Sequence, residues 1–294
     1  MTPFHVFLAV LVAVIWGIAF VATKVALESF SPPQLTALRF LIAAVPAVLV
    51  ARPPIAWPAL CAAGLALFAG QFLFQFFGIA NGMPPGLASI VVQTQALFTI
   101  LFASLALGET PTRRQLAGTA VAFAGLAVIT LTVGGDLTAV GLCLTGMSAI
   151  SWGIGNVLVK RLPRVEMLNL MIWLSLIPPL PSLALALAMD GPTGIASSVT
   201  GASWLAVGAA LYLGLVATVL AYAIWGSLLS HYSAATVTPF ALLAPFVAAY
   251  VSSLVFGERF GTLRLVGMGL VLLGLAVIVL PLDRLAGRRP SRNA

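Results

Sequence analysis

Gly125-Leu-Ala-Val-Ile-Thr-Leu131 returns 149 positions later as Gly274-Leu-Ala-Val-Ile-Val-Leu280, and that recurrence decides the fold. At the same offset Gly108-Glu109 is answered by Gly257-Glu258, and Leu116-Ala-Gly118 by Leu265-Val-Gly267. Nearer the start of each half, Trp16-Gly-Ile-Ala-Phe-Val-Ala-Thr-Lys24 is echoed 136 positions on by Trp152-Gly-Ile-Gly-Asn-Val-Leu-Val-Lys160. The chain states one module twice. In a membrane-embedded chain, such halves share a fold and place a solute site between them.

The surroundings of these runs require a membrane. With 61% hydrophobic and 7% charged residues and a mean hydropathy of +1.14, the apolar surface exceeds what a soluble core can hide. Ten apolar runs, each about the 20 residues that cross a hydrocarbon core, can be counted at roughly 4–27, 34–51, 57–80, 85–107, 114–132, 138–159, 167–188, 203–227, 234–256 and 263–281. They are too long for barrel strands and lack their alternation, so the expected fold is an all-α integral membrane protein. Five spans per half is an odd number, so the second half must enter from the opposite side. Two inverted five-helix repeats follow, 1–134 and 135–282, with a basic tail at 283–294. The boundary is the Gly134-Gly135-Asp136 turn, and a Gly/Ser/Thr-rich surface loop is expected from Asp190 to Ser203.

The net charge of +7 reports topology rather than nucleic-acid binding, because the basic residues are scattered over loop ends instead of forming a stripe with aromatics. With the N-terminus inside, Arg52, Arg113, Arg114, Lys160, Arg161, Arg164 and the C-terminal arginines share one side, against Lys24, Arg259 and Arg264 on the other. Both termini are therefore expected in the cytoplasm. Cys61 and Cys143 lie in apolar spans, where a thiol acts as a small hydrophobe. The first span lacks a basic n-region and has a counterpart in the second half, so it reads as retained rather than as a signal peptide.

Several polar or aromatic side chains fall inside spans. Trp16 and Trp152 lie about 18 to 21 Å into theirs, too deep for the interfacial belt, and a buried indole there needs a hydrogen-bond partner or a cavity to line. Trp16, Phe20 and Lys24 form one stripe at spacing four, and Trp152, Asn156 and Lys160 form its match. On one reading these stripes face each other across the pseudo-twofold axis and serve a solute; on the other, the lysines snorkel at span ends, with Lys24 near Glu28. Gln71 and Gln75 share a helical face, open to solute hydrogen bonding or to helix-to-helix contact. Gln93 and Gln95 point about 200° apart, and Gln95 is preferred for a cavity because Ala96 aligns with Pro245. Arg39 lies about 9 Å inside the second span and could meet Glu28 or a solute carboxylate. Tyr222 is a further polar edge. Prolines at 46, 178, 179, 181, 239 and 245 should bend their helices, which lipid tolerates where freed carbonyls meet protein or a hydrated cavity.

Absences narrow the function. All seven acids fall at or near span ends, which disfavours a proton relay and a grip on organic cations. No HExxH, GxSxG or metal-ligand cluster is present, so neither an enzyme nor a cofactor is expected.

The doubled Trp-Gly-x-x-x-x-x-x-Lys pattern, the paired Gly-Glu and the paired Gly-Leu-Ala-Val-Ile runs resemble the drug/metabolite transporter superfamily, in its ten-span EamA branch. Within that branch the pattern is similar to the YddG-type bacterial amino-acid exporters, from which it departs at Ile18-Ala19, where many relatives carry Ser-Asn. The resemblance implies a central cavity built from spans 1–4 and 6–9, with spans 5 and 10 packed outside it. The expected function is inner-membrane export of neutral or aromatic amino acids by alternating access, working as a monomer on a small-molecule substrate, with lipid as the other partner and no nucleic acid. Exchange of organic anions or phosphorylated metabolites through Lys24, Arg39 and Lys160 is the alternative, and a lipid-modifying enzyme or scaffold the more distant one.

Overall fold

The structure is a computed structural model and describes residues 1–280. The basic tail expected at 283–294 lies outside the described residues. Within them all regular structure is helical, apart from one isolated bridge between Gly134 and Leu137 in the turn midway along the chain.

The first half runs α1 (Pro3–Ala26), α2 (Pro32–Ala44) with a 3₁₀ extension Val45–Val48, α3 (Trp57–Gly64), a π-helical stretch Leu65–Gly70, α4 (Gln71–Ala80), α5 (Pro85–Val92), α6 (Gln95–Leu107) and α7 (Arg113–Thr130). The second half continues with α8 (Ala139–Lys160), α9 (Met167–Leu174), α10 (Pro179–Gly201), α11 (Trp204–Leu211), a second π-helical stretch Tyr212–Leu220, and α12 (Ala221–His231). It closes with α13 (Ala234–Val237), a 3₁₀ stretch Thr238–Leu243, α14 (Ala244–Phe256) and α15 (Thr262–Val279). Among the described residues, 8 rods are long and apolar enough to cross a membrane, and Pro32–Val48 is apolar but shorter. The arginines and glutamine at the start of α7 keep its opening turn polar.

Proline sets most of the breaks. Pro46 opens the 3₁₀ turn after α2, Pro179 starts α10, and Pro239 and Pro245 occupy the first turns of the 3₁₀ stretch and of α14. In each place the ring's fixed φ and missing N–H suit a first turn, where that N–H has no intrahelical acceptor. The break between α5 and α6, at Gln93-Thr94, has no proline; 149 positions on it corresponds to the end of the 3₁₀ stretch before α14. The two π-helical stretches are also related, Leu65 matching Tyr212 at an offset of 147.

The segment from Asp190 to Ser203 is not the loop expected from its composition. α10 kinks at Gly191 (φ 68°, ψ 170°) and helical structure resumes beyond it, with Pro192 in the first turn. Asp190 anchors the kink by accepting from Ser31 Oγ at 2.5 Å and from Gln34 Nε2 at 2.8 Å.

Glycine explains both recurring motifs. α7 packs along α15, and a Cβ on Gly118 would come within 2.6 Å of the Gly274 carbonyl oxygen, as would one on Gly125 from that of Gly267. Small residues at this antiparallel crossing let the backbones touch. Gly108 and Gly257 end α6 and α14 in the left-handed conformation, φ 67° and 66°, so each Gly-Glu pair is a helix stop followed by a placed carboxylate.

The turns segregate to two ends. At one, Thr138 donates from its hydroxyl to the Asn81 carbonyl and from its N–H to Gly82, Ser203 N–H reaches Ser29 Oγ, and Arg264 grips Asp136 with two bonds of 2.9 and 3.0 Å. At the other, His5 Nδ1 and the Tyr232 hydroxyl meet at 2.8 Å and Arg161 donates to the Ala106 carbonyl. Because α8 runs from the Thr138 turn to Lys160, and Lys24 shares a cavity with Gly82 and Asp136, the two lysines sit at opposite ends.

Candidate functional site

Aromatic rings converge midway along the bundle. Trp16 of α1 lies 5.0 Å from Trp225 and 5.8 Å from Tyr222 of α12, centroid to centroid, and Tyr222 lies 6.3 Å from Phe68. Phe68 stacks on Phe40 of α2 at 4.8 Å, and Phe40 meets Phe72 edge-on at 5.2 Å. These offset and edge contacts suit ring quadrupoles and give the centre a stiff wall.

The π-helical stretches supply the polar contacts of this wall. An extra residue in the turn frees carbonyls from the regular ladder. Trp16 Nε1 donates to the Ala217 carbonyl at 3.2 Å, which gives the indole N–H its partner. In the other half, Ser151 Oγ donates to the Ala66 carbonyl at 2.7 Å. Each first helix of a half thus bonds to the π-helical stretch of the opposite half. Tyr212 adds a hydroxyl bond to the Ile15 carbonyl at 2.8 Å.

Arg39 reaches this centre and not Glu28. It is 4% exposed, with Nε donating to Thr218 Oγ1 at 3.2 Å and its guanidinium 4.0 Å over the Phe72 ring. Gln71 and Gln75 are buried and bond to each other at 2.7 Å. Trp16 and Tyr222 keep part of their surface exposed, whereas Arg39, Phe68, Phe72, Gln71 and Gln75 are packed in.

The second set of candidates forms a separate group. Asn156 Nδ2 donates to Gln95 Oε1 at 2.9 Å and to Thr99 Oγ1 at 3.0 Å, tying α8 to α6. Of the two glutamines, Gln95 is the one engaged. One turn further on, Lys160 Nζ meets Glu109 Oε1 at 2.5 Å. Lys24 does not pair with Glu28, as its spacing suggested; its ammonium sits 4.4 Å over the Phe256 ring of α14, because α1 packs along α14 there. Trp152 packs against the core cluster that contains Phe68, and Phe20 against the one that contains Leu87. The structure therefore links Trp16, Tyr222 and Arg39 through the rings of Phe68, Phe40 and Phe72, pairs Gln71 with Gln75 and Gln95 with Asn156, and leaves the lysines at the two ends.

Two cavities open at those ends. The larger, about 550 Å³, is lined by Lys24, Met83, Asp136, Phe256, Glu258 and Arg259 among others. The smaller, about 220 Å³, lies between Thr99, Glu109, Gln115 and Lys160. Two loop acids at the larger one are perturbed in opposite senses. The Arg264 hydrogen bonds hold Asp136 below the usual carboxylate range, while burial pushes Glu258 up. Glu258 Oε2 accepts from the Gly86 N–H at 3.2 Å and its Oε1 is buried without a partner.

Thr218, Trp225 and Ser151 belong to this arrangement and were not anticipated. Thr218 and Ser151 are ordinary small polar residues in a span, and nothing in the sequence marks a π-helical turn. Glu258 was legible only as half of a repeated Gly-Glu.

The pattern has relatives. Residues 3–131 and 139–280 each match the model of the EamA-like transporter family. The chain is 40% identical over 280 residues to a protein of Salmonella typhimurium named "Probable amino-acid metabolite efflux pump", covering 93% of this chain and 94% of that one. A protein of the same name from Escherichia coli K12 is 38% identical, with 92% and 93% covered. A "Probable terminal-alkyne amino-acid exporter" of Streptantibioticus cattleyicolor is 29% identical, with 95% and 94% covered. A solved crystal structure at 18% identity shares the fold with a TM-score of 0.62 over 100% of both chains. Matched twice along its length and by whole-chain relatives, this multi-pass membrane protein belongs to the EamA-like transporter family and is a transporter rather than an enzyme.

Proposed function

We propose that the protein exports neutral or aromatic amino acids and related small metabolites across a bacterial inner membrane, by alternating access and down their gradient. In this reading ten spans form two inverted repeats, 1–134 and 135–282, and a monomer is the working unit. Both termini face the cytoplasm, in keeping with Arg52, Arg113, Arg114, Lys160, Arg161 and Arg164 gathered at the end that holds the N-terminus.

The observation that carries the substrate class is the cluster of Trp16, Tyr222, Trp225 and Phe68, midway along the rods and where the halves meet, with the buried amides of Gln71 and Gln75 following Phe68 along the same rod. Aromatic faces with a few placed polar groups suit a small solute that is part apolar and part polar. The names of the relatives, amino-acid metabolite efflux and amino-acid export, point the same way. Trp152, packed against the same core cluster as Phe68, joins the wall in this reading, and Phe20, Gln95 and Asn156 serve the solute elsewhere along its path.

Exchange of organic anions or phosphorylated metabolites would need Lys24, Arg39 and Lys160 to act together. Arg39 favours that reading, but Lys160 is engaged by Glu109 and Lys24 lies at the far end, so a single cation serves the centre. Proteoliposomes loaded with labelled threonine, methionine or phenylalanine decide the matter. Protein-dependent efflux of at least one of them is expected, and its absence for all three, with sugar phosphates moving instead, would reverse the assignment.

A further inference from the structure

We infer that Arg39 is the receptor for the carboxylate of the transported solute, which restricts the substrate class to monocarboxylates; this rests on the amino-acid reading above. Among the described residues Arg39 is the one ionised side chain midway along the rods, and no carboxylate lies within 4.0 Å of it. The ion pairs at the bundle ends, Lys160 with Glu109 and Arg264 with Asp136, leave it out. A guanidinium cannot shed its proton, so a cation held there in lipid calls for an anion or for water.

Its surroundings orient it without neutralising it. The Thr218 hydroxyl donates to the Leu213 carbonyl at 2.8 Å, a bond five residues back along the π-helical stretch, which turns the oxygen lone pairs toward Arg39 Nε. The Phe72 ring, 4.0 Å away, fixes the guanidinium plane, and Phe40 flanks it at 5.8 Å. One edge of the group is thus held by Thr218. The two terminal amino groups, the fork that takes a carboxylate with two parallel bonds, have no hydrogen-bond acceptor among the described residues.

The ligand chemistry follows from the charge count. One fork with no second cation matches a single carboxylate group, and a phosphate dianion would leave a second negative charge unmatched in a low-dielectric centre. The repeat offers no duplicate, since the position 136 residues after Arg39 is Ser175. With the carboxylate seated on Arg39, a solute side chain extends toward Phe68, Tyr222 and Trp16, whose rings adjoin the Phe40 and Phe72 pair.

The test measures binding and flux separately. Purified protein in detergent is titrated with phenylalanine, phenylacetate and phenylalaninamide, following the shift in thermal midpoint, and proteoliposomes report efflux of phenylalanine and its amide. Both carboxylates are expected to bind at least tenfold more tightly than the amide. Arg39→Gln should abolish that preference, while Arg39→Lys keeps part of it. Equal binding of acid and amide by the unaltered protein, a comparison that needs no variant, would overturn the inference, as would Arg39→Gln with undiminished preference. Carboxylate-selective binding without any flux would leave Arg39 in its role and remove the transport reading alone; flux of acid and amide alike would do the reverse.

Discussion

Lys160 Nζ and Glu109 Oε1 meet at 2.5 Å at one end of the bundle, whereas their counterparts in the other repeat, Lys24 and Glu258, form no ion pair at the opposite end. The cavities follow the same asymmetry, about 220 Å³ beside the closed pair and about 550 Å³ beside the open one. Two copies of one module thus sit in two states. An inverted repeat working by alternating access interchanges those states between its halves.

Breaking the closed pair should therefore act on opening more than on stability. Both side chains are about half exposed, where ion pairs contribute about 0–1 kcal/mol, so Glu109→Gln is expected to leave the thermal midpoint nearly unchanged. Thiol labelling of a Thr99→Cys reporter, which lines the smaller cavity, should speed up several-fold in the Glu109→Gln background.

Acid stability should depend on two loop carboxylates with opposite signs. Asp136 is held low by Arg264, so its contribution is present above the unfolded carboxylate range and is lost as pH falls through its folded value. Glu258 is raised by burial, so its contribution is full below the unfolded value and is lost as pH rises through the folded one. Melting curves across the acid range should show Asp136→Asn flattening the low-pH loss and Glu258→Gln raising the midpoint toward neutral pH.

The α7–α15 crossing leaves no room for side chains. With a Cβ on Gly125 placed 2.6 Å from the Gly267 carbonyl oxygen, Gly125→Val should cost about 1–3 kcal/mol through overpacking, read as a lowered thermal midpoint in detergent. The same change at Gly269, which has open space around its Cβ, should cost far less.

Trp16 should matter through its ring and its N–H separately. Trp16→Phe keeps an aromatic face and loses the bond to the Ala217 carbonyl, so phenylalanine efflux should fall a few-fold. Trp16→Ala removes the contact with Tyr222 and Trp225 as well, and a loss of about tenfold or more is expected in the same assay.

How much of this could be read from residues alone depended on whether the signal was periodic. The helical fold and its doubling were legible because hydropathy and the Gly125/Gly274 recurrence extend over whole spans. The bends at Pro46, Pro239 and Pro245 were legible because proline changes the backbone locally. The helix past Gly191 was not, since its small polar composition matches that of a loop. The π-helical stretches were hidden for a similar reason: Leu65–Gly70 and Tyr212–Leu220 are as apolar as regular helix, and their contacts with α8 and α1 join residues far apart in the chain. At the centre, the four-residue spacing of Gln71 and Gln75 marked one helical face, and both amides are buried. Arg39's choice between Glu28 and the centre was tertiary, and so was Lys24's seat over Phe256.

Opposed movement of the two ends is most directly measured by paired spin-label distances, with labels at Thr110 and Arg164 across one end and at Asn81 and Arg259 across the other. Adding phenylalanine should lengthen the first distance and shorten the second in the same population of molecules. Both distances changing in the same direction, or neither responding while phenylalanine is being transported, would contradict a pair of inverted modules that open by turns.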